Sequence, residues 1–267
     1  MIALERKLAK SKLAESLGIS RSLLYYRHKQ PEKDWVTKVE IERALREHTS
    51  YGHKRLALHL RLNKKRVLRV MKLFGIKPYR RRGRKPPKKA TGAADYPNLL
   101  LAAYPYYPHR IWASDFTYLP YRGKFLYLAT VIDLYTREIV GLAVSQRHDC
   151  TLVTQALLCA LHNHPRASIL HSDHGSEYCA ADYQDILAKL GINPSMAGKG
   201  CPWENGYQES FYSQFKVDLG DPERFTSLGE LIAEIYETIR NYNHKRIHSA
   251  LKMSPMQFAR QLAPAYH

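Results

Sequence analysis

From Arg110 onward the chain carries three strand-like runs in succession, and this pattern restricts the fold more than any other feature of the sequence. The runs cover residues 111–119, 124–134 and 137–145. Consecutive runs of this length joined by short turns predict an antiparallel meander of three strands. Helices and short strands then alternate, with helices predicted at 151–162, 181–190, 205–218 and 228–242 and strands at 168–171 and 193–196. This order predicts a mixed five-stranded α/β sheet with helices.

The distribution of charge divides the chain into two parts. Residues 1–90 hold 27 lysines and arginines against 7 acidic residues, whereas residues 91–267 hold 15 against 17. A basic excess confined to one end indicates a region that binds a polyanion, joined to a nearly neutral domain. A membrane is the weaker candidate, because no basic amphipathic helix with aromatic anchors stands out and no apolar run reaches about 18 residues. Nucleic acid is therefore the predicted partner.

Two short helical patterns open the basic region. Residues 8–17 and 21–27 carry apolar residues at helical spacing, with a glycine-containing turn between them. The layout predicts a helix-turn-helix over residues 1–32, in which Arg21 and Arg27 contact DNA. Any helical hairpin shares this layout, so the surrounding charge is what favours DNA binding.

A second helical DNA-binding domain is predicted for residues 33–78. In its last helix, over residues 64–74, the apolar residues share one face and the basic ones fall largely elsewhere. The basic residues predicted to contact phosphates are Lys64, Lys65 and Arg69. The alternative is the solvated face of an ordinary three-helix bundle, which a chain of neutral overall charge would favour.

Residues 79–106 are too basic and too rich in proline to fold alone, and we interpret them as a linker. Such a segment can follow a DNA backbone, although a plain tether fits equally well. Its candidate DNA contacts are Arg80, Arg81, Arg82 and Arg84. The remaining predicted domains are a catalytic core at residues 107–225 and a C-terminal helical tail at 226–267.

Three acidic residues fit this fold order as a possible metal site. Asp115 interrupts an apolar strand, Asp173 ends a short strand, and Glu209 lies on a helix. Each of them alone would more often be structural. Together they offer oxygen ligands, which suit Mg²⁺ or Mn²⁺, and two such ions can clamp the attacking and leaving oxygens of a phosphodiester.

Other charged residues compete for roles near these acids. Asp133 ends the second strand, and we expect it to form a salt bridge with Arg137 across the turn. Glu204 lies about 140° around the helix from Glu209, so the two cannot face one metal. Lys216 lies two turns after Glu209 on nearly the same face, where it is placed either to contact a DNA phosphate or to face solvent.

Three segments resemble the conserved blocks of the DDE superfamily: Trp112–Tyr118, His171–Tyr178 and Asn205–Phe211. Thirty-five residues separate Asp173 from Glu209, an interval typical of retroviral integrases and related insertion-sequence transposases. The chain resembles the OrfB-type bacterial transposases, which have a retroviral-integrase-like, ribonuclease-H-like core. The flanking segments Tyr51–Leu56, Lys65–Met71 and Asn241–Leu251 resemble that family as well.

The resemblance implies a DNA transposase. Cleavage at the ends of a transposable element would expose a 3′-hydroxyl, which then attacks target DNA, in a site that holds two Mg²⁺ or Mn²⁺ ions. The implied partners are terminal inverted repeats, target DNA, further copies of the chain and, in related elements, an upstream reading frame. The zinc-binding module of retroviral integrases is absent, and Gly206-Tyr207-Gln208 replaces the small apolar residues that we would expect.

Two alternatives stay open at this point. One is a DNA-binding regulator with an inactive core, and the other is a ribonuclease-H-like nuclease that does not join strands. Four cysteines without a C-x-x-C pair, no apolar N-terminal stretch and no membrane span predict a cytoplasmic protein. The resemblance implies a bacterial protein associated with the nucleoid.

Overall fold

The computed structural model describes residues 10–20, 22, 30–79, 96–198 and 202–262. The helices of this part of the chain are α1 (Lys10–Ser16), α2 (Gln30–Glu47), α3 (His53–His59), α4 (Lys64–Leu73), α5 (Cys150–Asn163), α6 (Ser176–Cys179), α7 (Ala181–Leu190), α8 (Gly206–Leu219), α9 (Leu228–His244) and α10 (Pro255–Leu262). The strands are β1 (Ile111–Tyr121), β2 (Lys124–Asp133), β3 (Ile139–Ser145), β4 (Ile169–Ser172) and β5 (Asn193–Met196).

The five strands form one sheet in the order β3-β2-β1-β4-β5. The first three strands are antiparallel neighbours, whereas β4 pairs parallel with β1 and β5 pairs parallel with β4. The predicted meander and the mixed five-stranded sheet are confirmed. β3 begins two residues later than predicted, because Arg137 adopts a φ of 64° in the turn that precedes it.

Helices cover both faces of the sheet, and the alternation of side chains along β1 shows how. Ile111 and Ala113 pack into the cluster that contains the buried faces of α8 and α9. Trp112 points to the opposite face and packs with α5 and α7. Since successive strand residues face opposite sides, β1 is apolar at every one of these positions because both of its faces are covered.

Gly141 allows α5 to lie close against β3. A Cβ atom at this position would stand 2.3 Å from the backbone oxygen of Ala156 and 2.8 Å from the backbone nitrogen of Ala160. Both contacts are with helix backbone, which cannot turn away as a flexible side chain does. A glycine in the strand is therefore what sets the distance between this helix and the sheet.

The helices α2, α3 and α4 form a separate small unit with its own buried core, made of Ile41, Ala44, Tyr51, Leu56, Ala57, Val67, Val70 and Met71. The predicted apolar face of α4 thus points inward. Ile247, which follows α9, packs against this core, and its backbone N–H donates to the hydroxyl of Tyr51 at 2.8 Å. The unit is consequently joined to the C-terminal part of the chain.

Of the predicted helix-turn-helix, the first helix appears as α1, and Gly18 has the left-handed φ of 62° that ends it. Residues 21 and 23–29 lie outside the described residues, so the complete motif and its DNA contacts Arg21 and Arg27 remain predictions. The linker arginines at positions 80, 81, 82 and 84 also lie outside them. None of the helices in the described part of the chain combines the length and the apolarity that a membrane crossing requires.

Candidate active site

Strand pairing places Asp115 and Asp173 next to each other. In the parallel pair of β1 and β4, Ala113 lies opposite His171. Each aspartate follows two residues further along, so both project at the same level from neighbouring strands. Because Ala113 faces α8 and α9, Asp115 projects from the same face of the sheet. Asp173 comes directly after β4, at its carboxyl end.

Asp115 is held in surroundings that oppose its negative charge. Burial is the largest cause that raises the pKa of its carboxyl well above the ordinary value, and the charges of Asp173 and Glu209 raise it further. The backbone N–H of Phe116, which donates to Oδ1 of Asp115 at 2.8 Å, and the ammonium of Lys216 act in the opposite direction. These interactions show that the three predicted acids and Lys216 converge on one place.

Asp173 lies in a tight turn after β4. The N–H of Gly175 donates to its Oδ1 at 2.9 Å, and desolvation by the surrounding protein raises the pKa of the carboxyl. The side chain of Glu177 comes close as well, and its charge raises the pKa of Asp173 further. A Cβ on Gly175 would stand 3.0 Å from Oδ1 of Asp173 and 3.1 Å from Oε2 of Glu177, so these carboxylates flank the glycine closely.

Glu209 lies exposed in the first turn of α8, and its neighbours fix that helix to the sheet. Gln208 is fully buried and donates from Nε2 to the backbone oxygens of Ala113 at 2.7 Å and Thr130 at 3.1 Å. One turn later, the hydroxyl of Tyr212 donates to the backbone oxygen of Asp115 at 2.6 Å. The residue that departs from the expected pattern, Gln208, is thus a hydrogen-bonded anchor of α8.

Lys216 lies on α8 two turns beyond Glu209, as predicted. Its ammonium stands 5.1 Å from the centre of the Tyr118 ring, and its charge lowers the pKa of Asp115. The lysine therefore borders the carboxylates from the helix side, where it reduces their mutual repulsion.

Glu177 is an acidic residue near the site that the sequence analysis did not single out. Its Oε1 lies 3.0 Å from Nδ1 of His148, whose ring stacks on Phe116 at a centroid distance of 6.1 Å. Phe116 directly follows Asp115 and points to the opposite face of the sheet, where it packs with α5 and α7, so Glu177 approaches the site beside Asp173. The signal in the sequence was the position of Glu177, four residues after Asp173 in a predicted loop.

The two competing acids lie away from the carboxylate cluster. Glu204 accepts from the backbone N–H of Gly198 at 2.7 Å. Asp133 is buried and accepts from the hydroxyl of Thr136 at 2.7 Å. The expected salt bridge with Arg137 is wrong: Asp133 accepts from groups of its own turn and from the backbone N–H of His109. The guanidinium of Arg137 lies elsewhere, 4.1 Å from the centre of the Tyr207 ring.

The predicted DNA contacts on α4 differ in their surroundings. Lys64 and Lys65 are exposed in its first turn. Arg69 forms a bidentate ion pair with the buried Asp34, in which Nη1 lies 2.6 Å from Oδ2, and this hydrogen bond lowers the pKa of Asp34 to about 2. All three remain predicted contacts, but Arg69 also holds α4 against α2.

Residues 105–202 and residues 190–255 each match a family model described as an integrase core domain. The chain is 35% identical to the transposase for insertion sequence element IS904 of Lactococcus lactis subsp. lactis (strain IL1403), over 86% of this chain and 98% of that protein. It is 34% identical to the insertion element IS600 uncharacterized 31 kDa protein of Shigella sonnei, over 92% of this chain and 97% of that protein.

One solved structure shows the same fold over most of the chain. It is the simian T-cell lymphotropic virus intasome in complex with PP2A regulatory subunit B56 gamma, with a TM-score of 0.51 at 17% identity. The match covers 80% of this chain and 73% of that chain.

Proposed function

This chain belongs to the insertion-sequence transposases with an integrase core domain, and from that premise we propose that Asp115, Asp173 and Glu209 form its metal-binding catalytic centre. The chain is thus a DNA transposase with a ribonuclease-H-like core. The observation that carries the proposal is geometric: the β1–β4 register sets Asp115 beside Asp173, and the hydrogen bonds of Gln208 and Tyr212 hold the helix of Glu209 against β1.

The donor set fits a hard divalent cation. The three carboxylates offer oxygen only, which suits Mg²⁺ or Mn²⁺ and not zinc. Their mutual repulsion is what a cation relieves, and the family uses divalent metal ions. Two bound ions would supply Lewis-acid stabilisation of the attacking and leaving oxygens of a phosphodiester.

The chain's own residues would position the DNA for two successive reactions. In the first, water attacks the phosphodiester at the end of the element, and the bond to the 3′-oxygen breaks, which leaves a 3′-hydroxyl. In the second, that hydroxyl attacks a phosphodiester of target DNA, and one strand is joined as another 3′-hydroxyl leaves. Lys216 would bind a phosphate beside Asp115, while the anchors Gln208 and Tyr212 keep Glu209 at a constant distance from β1.

DNA holding would fall mainly to the basic region of residues 1–90. We propose that it binds terminal inverted repeats, chiefly through phosphates, and that several copies of the chain assemble on DNA, at the nucleoid of a bacterial cell. Binding through phosphates releases counterions, so affinity for DNA would fall steeply with salt. An affinity that stays constant between about 50 and 200 mM salt would count against this role. Whether an upstream reading frame contributes a partner would be tested by adding that product.

The catalytic proposal is tested with an oligonucleotide from the end of the cognate element, labelled at the 5′-end of the strand that is transferred and incubated with the full chain and Mg²⁺. We expect cleaved and joined products from the wild type. Glu209→Gln and Asp173→Asn should lose both by at least about 100-fold, since even the partners of metal ligands cost about 10–100-fold when mutated. Asp185→Asn, at an exposed acid of α7, is the matched control and should retain activity.

The outcomes separate the alternatives. Cleavage without joined products would indicate a nuclease. Equal lack of cleavage in wild type and Glu209→Gln would indicate a regulator. Full activity in Glu209→Gln would exclude the assigned centre.

A further inference from the structure

A cavity of about 500 Å³ lies on a side of α8 away from the carboxylates. We call it the arginine cavity, because Arg55 of α3, Arg137 of the β2–β3 turn and Arg246 after α9 all line it. Three separate parts of the chain thus contribute one cation each. No aspartate or glutamate lines the cavity among the residues that the structure describes. Its volume lies within the range of about 300–1,000 Å³ in which proteins bind small organic ligands.

One of the three arginines is neutralised by the protein. Arg246 is buried, donates to Oδ2 of Asp218, and also donates to the hydroxyl of Ser50 at 2.7 Å. Arg55 donates from Nη1 to Oε1 of the uncharged Gln214 at 3.2 Å. Among the described residues neither Arg55 nor Arg137 forms an ion pair with a carboxylate, and the nearest acid to Arg55, Asp218, is already paired with Arg246.

Arg55 and Arg137 also hold donors that the folded chain does not satisfy. Nε of Arg55 and both Nε and Nη1 of Arg137 are shielded from water, and they have no acceptor in the described ranges of the chain. Shielding a charged donor without an acceptor costs free energy, and an anion in the cavity would reduce that cost once the guanidinium groups turn toward it.

The backbone conformation of Arg137 also helps to place its guanidinium in the cavity. Its φ of 64° is a left-handed conformation that a non-glycine residue adopts at some cost. This conformation leads the guanidinium away from Asp133 and onto the face of Tyr207, at 4.1 Å from the ring centre. Tyr207, Phe211 and Tyr242 supply aromatic surface in the same cavity. The lining thus combines unpaired positive charge with flat apolar rings.

The lowered pKa of a histidine in the lining is consistent with a positive electrostatic potential in the arginine cavity. His248 lines the cavity, and its pKa is lowered to about 4 by burial first and then by the charges of Arg137, Arg55 and Arg246. Its Nδ1 accepts from the backbone N–H of Ala250 at 3.3 Å, so the neutral ring carries its proton on Nε2. His248 is then a further neutral donor beside the arginines.

We propose that the arginine cavity binds one nucleotide unit of a DNA strand, with its phosphate on Arg55 and Arg137 and its base or sugar against Tyr207. Phosphate groups are matched by the planar fork of arginine, and aromatic side chains stack bases irrespective of sequence. The site is distinct from the carboxylate centre: Glu209 lies between Tyr207 and Ser210 in α8, but Ser210 is about 100° around the helix from it. The inference rests on the proposed function only in taking the ligand to be DNA.

The test is calorimetric titration of the full chain with the dinucleotide pTpT and, separately, with inorganic phosphate. EDTA is present throughout, so that the metal-free carboxylates repel both probes. We expect Arg137→Gln to weaken pTpT binding roughly tenfold through loss of a charge-assisted contact. Arg260→Gln, an equal loss of charge at an exposed position of α10, should leave it unchanged.

Two further variants make the assignment specific. Tyr207→Leu should weaken pTpT by about tenfold and leave inorganic phosphate unaffected, because only the nucleotide has a base to stack. Arg137→Lys keeps the charge but not the fork, and should fall between wild type and Arg137→Gln. Thermal melting of each variant confirms that it folds.

Several results would overturn the proposal. One is unchanged pTpT binding in both Arg137→Gln and Tyr207→Leu, and another is inorganic phosphate binding as tightly as pTpT, which would indicate a site for a free anion. Asp173→Asn should keep pTpT binding while losing cleavage. The failure of the arginine cavity and the failure of the catalytic assignment are thereby read from different variants.

Discussion

At the scale of single residues, Asp115 shows that the proposed catalytic centre opposes the stability of the fold. Its carboxyl is desolvated on β1 and repelled by Asp173 and Glu209, so the metal-free protein folds in spite of this residue. That the three acids lie near one another could be expected from the predicted order of strands and helices, whereas their role stays a prediction. The approach of Glu177 to the site and the direction of the Arg137 side chain could not be predicted, because both depend on how turns direct side chains.

Asp115→Asn should therefore stabilise the metal-free protein while abolishing cleavage. The amide keeps an oxygen that can accept the N–H of Phe116 and removes a charge that Asp173 and Glu209 repel. Thermal melting in EDTA should show a higher Tm for the variant. Mg²⁺ should raise the Tm of the wild type and have little effect on the variant, since a ligand stabilises only the state that binds it. A lower Tm of the variant in EDTA would contradict the repulsion.

Glu138 gives a pH-dependent prediction at the same scale. Burial, and then the charge of Asp133, raise its pKa from 4.5 to about 7. Between these two pH values the unfolded chain loses a proton that the folded chain keeps, so stability falls as pH rises. Glu138→Gln cannot titrate and should be more stable than the wild type by about 3 kcal/mol above pH 7, with no gain below pH 4.5. Urea unfolding at pH 4.5 and pH 8 measures the difference, and an equal gain at both would rule the mechanism out.

At the scale of elements, α8 forms contacts on two of its faces. Gln208 and Tyr212 fix one side of it to β1 and β2, and these bonds determine the position of Glu209, which is next to Gln208. On the other side, Gln214 and Asp218 meet the residues that connect the small helical unit. The periodic strands and long helices could be predicted because their apolar spacing is regular. The short helix α6 and the helix α10 could not, since too few residues carry the period.

The close approach of β3 and α5 yields a prediction for Gly141. Gly141→Ala would bring a methyl group to 2.3 Å from the backbone oxygen of Ala156, and the helix would have to move. We expect a loss of about 2–3 kcal/mol in the free energy of unfolding, as for other overpacked cores. Gly52→Ala is the matched control, because a Cβ there meets nothing within 4 Å. Denaturant unfolding of both variants checks this, and equal stabilities would refute the argument from space.

At the scale of the whole molecule, two segments far apart in sequence hold the helical unit on the catalytic core. Tyr51 and its neighbours come from the segment before α3, and Arg246 and Ile247 follow α9. Both segments were recognised by their resemblance to the same family, but that they touch could not be predicted from one sequence. The contact is made of hydrogen bonds and one apolar residue, Ile247, and such a contact leaves no periodic pattern in the sequence.

Arg246→Met should loosen this attachment. The change leaves Asp218 without its cation, and since this carboxylate is partly exposed we expect a loss of about 2–3 kcal/mol, below the value for fully buried pairs. Hydrogen exchange measured by mass spectrometry should increase in residues 50–60. Adding Asp218→Asn should restore part of the stability, by about 1–2 kcal/mol in a double-mutant cycle. Additive losses would show that the two residues are not coupled.

The position of β1 in the middle of the sheet has a consequence for how the protein is made. Its pairing with β2 closes a short turn, whereas its pairing with β4 joins Ile111 to Ile169 across a long stretch of chain. Contacts between distant parts of a chain form more slowly than local ones, so we expect the meander to fold before the parallel strands add to it. Asp115 would then be in place early, and Asp173 and Glu209 would reach it only when β4 and α8 have docked. A partly folded chain would accordingly lack the proposed catalytic centre.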